Sequence, residues 1–206
     1  MIHIVHVITR TNVGGPSVML VDLLRGLDPT RYQNTIIRGA VVASEGDYLA
    51  DHPVSNDVIT LGQLRRSIGL WRELRSLVQL TRTLRRLQPD IVHTHMAKAG
   101  VTGRLAAVMA RVPVRVHTFH GHLLHGYFAA PVSMVFNTIE RLLRRLTTHS
   151  LVVGAATHRD LVAARIIAPL NSSVVLPGVK AITRYEPTAA RIELGLAVDG
   201  VVVGFV

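Results

Sequence analysis

The chain contains no cysteine. That removes disulfide bridges, thiolate nucleophiles and cysteine-ligated zinc, and it suits a reducing compartment. Lysine is almost as scarce: Lys98 and Lys180 are the only two among the 23 basic residues. Acidic residues number only 13, which leaves a formal net charge of +10. Aromatic residues make up 4% of the chain, too few to build a stacking platform, and no nucleic-acid reading module is recognisable. Nucleic acid is therefore not expected as a partner. No run of about eighteen uncharged apolar residues occurs, so no spanning helix is expected. The opening MIHIVHVITR lacks a basic leader and a small-residue cleavage site and reads as a first strand, which points to the cytoplasm.

What is present is a globular chain. Of its 206 residues 49% are hydrophobic, enough to bury a substantial core in one domain, or in one domain plus a fragment. The arginine excess favours polyanions such as anionic lipid headgroups or phosphorylated substrates. Scattered arginines are explained as well by GC-rich coding.

Apolar runs and helical periods alternate from end to end. Val/Ile-rich runs predict strands near 2–8, 34–42, 57–61, 90–95, 114–118, 149–153 and 173–176, nearly continuous in apolar character as buried parallel strands are. Helical patterns occupy about 17–27, 66–87, 97–110, 131–146 and 155–166. Alternation of this kind implies right-handed crossovers and an α/β, Rossmann-like, doubly wound and mainly parallel sheet with helices on both faces. Pro177-Gly178 breaks the pattern. Residues 180–200 read as a connector with a short helix near 188–194, and VVVGFV then opens a new apolar strand.

Chemistry concentrates beyond strand ends. After strand one, T-R-T-N-V-G-G-P-S leads into an apolar-periodic helix. Gly14 and Gly15 permit close backbone approach, Pro16 suits the first helical turn, and the helix N-terminus favours an anion. The same glycines equally suit a plain strand-to-helix turn. The motif is not G-x-G-x-x-G and no acidic residue ends the second strand, so a nicotinamide cofactor is not expected. Asp90 to His122 reads as one β-α-β unit, and ligands in such sheets sit beyond the carboxyl ends of the strands. His93 and His95 share a strand face, so one suits the core while the other lines a cleft with Lys98. In HTFHGHLLHGYF, His117 reads as a packing residue. His120 sits at the strand's carboxyl end beside Gly121, followed by His122. Clustered imidazoles can bind zinc, but no carboxylate lies close in sequence to complete a ligand set, so no metal is expected.

The helix expected over 66–87 is amphipathic in two senses. Leu70, Trp71, Leu74, Leu77, Val78, Leu84 and Leu87 predict a buried stripe. Arg72, Arg75, Arg82 and Arg86 predict an opposite stripe of one charge sign, offset only by Glu73. Such a stripe suits either solvent or an anionic bilayer, where each basic residue contributes roughly 1 kcal/mol. Arg141, Arg144 and Arg145 would extend it.

Taken together, VGGPS after strand one, IVHTHMAKAGVTGRLAA, VHTFHGH, ERLLRRLTTHSLVVGAATHRDLV, VVLPGVK and VVVGFV resemble, in order, the N-terminal domain of family 4 glycosyltransferases, which have the two-domain GT-B fold. Departures are Gly154, where the family commonly has serine, and Lys180, where aspartate is usual. The resemblance implies an N-terminal acceptor-side domain over 1–178, an interdomain linker over 179–200, and at 201–206 the first strand of a C-terminal donor-binding domain that lies outside this chain. It implies a retaining glycosyltransferase that moves a sugar from a nucleotide-sugar to a lipid-linked, polysaccharide or other acceptor. It gives His120 the catalytic position and Gly14 and Gly15 the donor diphosphate and acceptor; the position of His95, Lys98, Gly121 and His122 beyond strand ends makes them the expected cleft wall. It implies no metal or other cofactor, the nucleotide-sugar being a co-substrate. The expected location is cytoplasmic, peripheral on the inner face of the membrane, with Arg72, Arg75, Arg82 and Arg86 as contacts. The family's E-x7-E motif is absent from these residues, so the fragment alone is expected to be inactive. Two other readings fit the same features: a non-catalytic membrane- or polyanion-binding module, and a GT-B sugar-nucleotide epimerase relative.

Overall fold

The computed structural model describes residues 1–65, 69–121, 130–178 and 185–203. Seven strands, all parallel, form a single sheet in the order β3-β2-β1-β4-β5-β6-β7. They are β1 (Ile2–Ile8), β2 (Tyr32–Gly39), β3 (Asp57–Leu61), β4 (Ile91–His95), β5 (Val114–Phe119), β6 (His149–Val152) and β7 (Ser172–Val174). The helices are α1 (Gly15–Gly26), α2 (Tyr48–Asp51), α3 (Leu70–Leu87), α4 (Ala97–Met109), α5 (Ala130–Leu143), α6 (Ala155–Ala163) and α7 (Pro187–Glu193). This is the doubly wound α/β architecture expected of alternating strand and helix.

The pleat sorts each strand into two faces. Val5, Val7, Ile37 and Val92 point to one face and pack with Leu80 and Leu84 of α3 and with Ala99, Ala106 and Ala107 of α4. Ile8 and Ile36 point to the other, against Leu20, Val21 and Leu24 of α1 and Leu49 of α2. A third cluster joins Phe119 and Val152 to Leu161, Ile166 and Ile167 around α6. The small residues of KAGVTGRLAA let α4 lie hard against the sheet. A Cβ on Gly100 would stand 2.5 Å from His117 Cε1, and one on Gly103 2.6 Å from Thr94 Cγ2.

α4 also carries a buried charge. Arg104, 1% exposed, reaches the equally buried Glu140 of α5 with Nη2 at 2.7 and 2.8 Å from its two carboxylate oxygens. Its Nε donates to the Gly100 carbonyl and Nη1 to Thr147. Every arm of the guanidinium is thus occupied, as burial of a charge demands.

Several expectations shift. β2 runs earlier than 34–42 and stops at Gly39, where the Gly39 N–H bonds the Thr9 carbonyl and a side chain would strike the Leu64 carbonyl at 1.6 Å. The chain then makes a 3-10 turn over Ala43–Glu45 and enters α2, whose first N–H groups are capped by Asp47; neither element is evident from periodicity. α3 is helical from Leu70, and residues 66–68 lie outside the described set. Its predicted buried stripe needs correction: Trp71 is 73% and Leu74 49% exposed, whereas Ser76, Leu80, Thr81 and Leu84 are buried. Trp71 and Leu74 thus stand on the solvent side of α3 and not on the face that packs on α4. Of the strand expected over 201–206, Val201–Val203 pair with no strand of this sheet, and 204–206 lie outside the described residues.

Candidate functional site

The strand order reverses between β1 and β4: from β1 the chain first winds outward to β2 and β3, and it later returns to place β4 on the other side of β1. The crevice beyond the carboxyl ends of these two strands is where such sheets bind ligands. The loop from Thr9 to Gly14, Met96 after β4, and His120 after β5 border it. Thr9 Oγ1 accepts from the Ala99 N–H at 3.2 Å, tying the start of α4 to the end of β1. Met96 has φ 66 and ψ 158, a region nearly reserved for glycine and worth about 1–3 kcal/mol of strain. Strain of this kind concentrates where a fold aims side chains at a crevice.

Register assembles the histidines. His6 of β1 lies opposite His93 of β4, and Ile8 opposite His95; His95 in turn lies opposite Thr118 of β5. His6, His93 and His95 therefore share the α1 face, joined by His120 just past β5. His6 Nε2 meets Asn34 Oδ1 at 3.1 Å, His6 Nδ1 meets His95 Nε2 at 3.4 Å, and His95 Nδ1 meets His120 Nε2 at 3.2 Å. The His93 ring lies tilted against His95 with centroids 4.2 Å apart, and its Nε2 meets Thr118 Oγ1 at 2.7 Å. His120 Nδ1 is buried with no partner among the described residues. His117 points to the opposite face, 1% exposed, bonded to Thr94 Oγ1 at 2.8 Å beneath Gly100, in a packing position.

Burial controls the charge of these rings. Desolvation lowers His6 to about 4 against a weaker opposing effect of Asn34, and it lowers His120 to about 4. Burial, then the neighbouring imidazoles, holds His93 and His95 well below the ordinary histidine value; burial and Arg104 do the same for His117. All are neutral at pH 7. The ligand atoms of His6, His93 and His95 lie within 4.8 Å of one another, close enough that these three rings could hold a metal ion.

At the end of β2 stands a second polar group. Arg38 Nη1 bonds both carboxylate oxygens of Asp47 and Thr11 Oγ1, each at 2.6 Å, and Thr11 also donates to Asp47. Burial alone would raise the Asp47 carboxyl; the bonds from Arg38 and Thr11 outweigh it, and the net shift is downward. Arg10 bridges Asn12 and Glu45 at 3.0 Å. These ion pairs brace the loop that carries Gly14 and Gly15. Gly14 caps α1 in extended backbone, and a side chain on Gly15 would meet nothing within 4 Å.

Of the residues singled out from sequence, His95 and His120 meet, and Gly121 adjoins them. Lys98 is engaged elsewhere: Nζ pairs with Glu73 at 2.7 Å and donates to the Arg65 carbonyl, linking α4 to the start of α3. His122 lies outside the described residues. Arg72, Arg75, Arg82 and Arg86 are exposed along α3. His6, Asn34, Arg38, Asp47 and Glu45 were not foreseen. His6 could have been suspected as the inner of two histidines in the otherwise apolar MIHIVHVI; the acids gave no signal until the topology brought 45–47 back to β1.

The topology defines a doubly wound, all-parallel α/β domain whose strand order reverses beside β1. The chain matches Glycosyltransferase Family 4 over residues 13–181, and it belongs to that family. It is 33% identical over 148 residues to the UDP-Gal:alpha-D-GlcNAc-diphosphoundecaprenol alpha-1,3-galactosyltransferase of Escherichia coli, covering 72% of this chain and 37% of that protein. It is 28% identical over 102 residues to the capsular polysaccharide biosynthesis glycosyltransferase CapM of Staphylococcus aureus, covering 49% and 26%. The chain thus spans well under half the length of these relatives. Among solved structures, HepE of Anabaena in complex with UDP and glucose superposes with a TM-score of 0.67 at 18% identity, over 95% of this chain and 50% of that one. The UDP-GlcNAc 2-epimerase of Methanocaldococcus jannaschii gives 0.60 at 15% identity, over 85% and 45%. At such identities these likenesses establish the fold, a Rossmann-like domain of the GT-B type.

Proposed function

We propose that this chain is the acceptor-side half of a retaining glycosyltransferase, which moves a sugar from a nucleotide-sugar to a lipid-linked or polysaccharide acceptor without a metal ion. The observation that carries this reading is the family match over 13–181. The name of the Escherichia coli relative, which specifies a UDP-sugar and a diphosphoundecaprenol carrier, supports the substrate class. The fold by itself does not choose, because UDP-GlcNAc 2-epimerases share it. In this reading residues 1–178 form the acceptor-side unit, 179–200 the connector, and 201–206 open a donor-binding domain.

Glycosyl transfer passes through an oxocarbenium-like state that fixed dipoles and positioned groups stabilise best where water is excluded. His120, neutral and half-buried at the strand end, lies against the reacting sugar. Gly14 and Gly15 leave room for the diphosphate or the acceptor beside the N-terminus of α1. In the protein extended through its C-terminal domain, His120→Ala should cut transfer of labelled sugar by roughly a hundred- to ten-thousandfold; near-normal turnover refutes the role. The 206-residue chain alone should transfer nothing.

The acceptor's lipid carrier would bring the enzyme to an anionic membrane face in the cytoplasm. No helix among the described residues is long and apolar enough to cross a membrane. The exposed Trp71 and Leu74 stand on the same helix as the exposed Arg72, Arg75, Arg82 and Arg86, a combination suited to lying in a bilayer interface. Flotation with anionic vesicles at low salt tests this, and failure to float overturns it.

A further inference from the structure

The polar chain behind His120 has a direction, set two strands away. An amide oxygen only accepts hydrogen bonds, and a neutral imidazole donates from one nitrogen and accepts at the other. Asn34 Oδ1 faces His6 Nε2 at 3.1 Å, so His6 carries its proton on Nε2 and presents a bare Nδ1. That nitrogen faces His95 Nε2 at 3.4 Å, so His95 donates there and presents a bare Nδ1 in its turn. That one faces His120 Nε2 at 3.2 Å. Each ring repeats the state of the one before it.

We propose that Asn34, His6 and His95 are positioning residues that lock His120 in its Nε2–H tautomer, so that His120 meets a hydroxyl of the bound sugar or acceptor as a hydrogen-bond acceptor through Nδ1. The proposal rests on His120 being the working residue. Three observations support the direction. His6 and His95 are 1% and 2% exposed, so water does not scramble their tautomers. The rings are neutral, as burial requires, and only neutral rings pass on a polarity. His120 Nδ1 has no partner among the described residues; reversing the chain would put a proton there with no acceptor among those residues, a rarer condition for a buried N–H than an unfilled lone pair.

The geometry also separates this arrangement from a metal site. An ion held by His6, His93 and His95 would need His6 Nδ1 or Nε2 and a nitrogen of His95 as ligands, and at least one relay bond would have to open. The relay and a resident ion therefore exclude each other on the same rings.

The test is nitrogen-15 NMR of the histidine side chains in the protein labelled at histidine, with ring signals assigned by single His→Gln variants. The relay requires His6, His95 and His120 each to show a protonated Nε2 and a bare Nδ1. In Asn34→Leu, His120 should lose its single tautomer and show both forms, although Asn34 is on β2 and does not touch it. A purely structural role for Asn34 would leave His120 unchanged. Should Asn34→Leu fold poorly, Asn34→Gln keeps a neutral amide acceptor at this position and should preserve the wild-type tautomers. A protonated Nδ1 on His120 in the wild type, a His120 tautomer indifferent to Asn34, or one chelator-removable zinc per chain on His6, His93 and His95 overturns the proposal. None of these readouts depends on sugar transfer, so failure of the proposed enzymatic role and failure of the relay are told apart.

Discussion

Acid should destabilise this protein before its carboxylates begin to titrate. His6, His93, His95 and His117 are buried and held neutral, chiefly by desolvation. In the unfolded chain an imidazole takes a proton below about pH 6.5; in the folded chain His6 does so only near 4. Between those values the unfolded state binds more protons. Stability is therefore full above about pH 6.5 and is lost as the pH falls toward about 4. For His6 alone the drop from pH 7 to pH 5 removes about 2 kcal/mol, and the other three rings act in the same direction. A domain has about 5–15 kcal/mol in all, so the loss at His6 alone is a sizeable fraction of it, and the other three rings add to it. Urea unfolding followed by far-ultraviolet circular dichroism, at steps from pH 7.5 to 5, measures this; the single tryptophan, Trp71, is 73% exposed and reports poorly on the core. His6→Gln lowers the starting stability but removes one titrating ring, so its stability should fall less steeply, by up to about 1.4 kcal/mol per pH unit. Equal slopes in the two proteins, or a wild type indifferent between pH 7 and 5, would refute the reasoning.

The remaining predictions concern other parts of the fold. Glu140→Ala strands the Arg104 guanidinium in the core and should cost about 3–5 kcal/mol in urea unfolding, whereas the joint replacement of both by apolar residues should cost clearly less. Gly100→Ala forces α4 off His117 and should cost about 1–3 kcal/mol, with a non-additive, smaller cost when His117 is also truncated. Replacing Arg72, Arg75, Arg82 and Arg86 by glutamine should weaken binding to anionic vesicles by on the order of a thousandfold, at about 1 kcal/mol each, and Trp71→Ala should weaken it further at any salt concentration.

The sheet was legible because its signals are local. β1, β3 and β5 are apolar runs bounded by breakers, the long α3 carries its own period, and α4 is a run of small and apolar residues filling the span between two strands. What was not legible were short elements without a period. α2 exists because Asp47 caps it and Arg38 anchors Asp47, and Arg38 comes from a strand whose end is fixed by a clash at Gly39 with Leu64. Trp71 and Leu74 show the complementary error. Helical spacing says which residues share a face, but only the packing partner says which of them are covered.

The site divides in the same way. His120 could be singled out because its position at a strand end and beside a glycine is a statement about neighbours in sequence. The group that determines its protonation state is not. His6 lies 89 residues from His95, and Asn34 28 from His6; their meeting depends on β1 occupying the centre of the sheet between β2 and β4, with a register that brings His6 opposite His93 and Ile8 opposite His95. A slip of one residue in either pairing would turn those side chains to the other face and take from His120 the imidazole it meets. The topology that creates the switch-point crevice is thus the same topology that places a polar column behind it. Evolving a histidine at the crevice is a local change; giving it one tautomer requires three further residues on three strands in one register. That difference in requirements explains why the first could be read from a short motif and the second only from the fold.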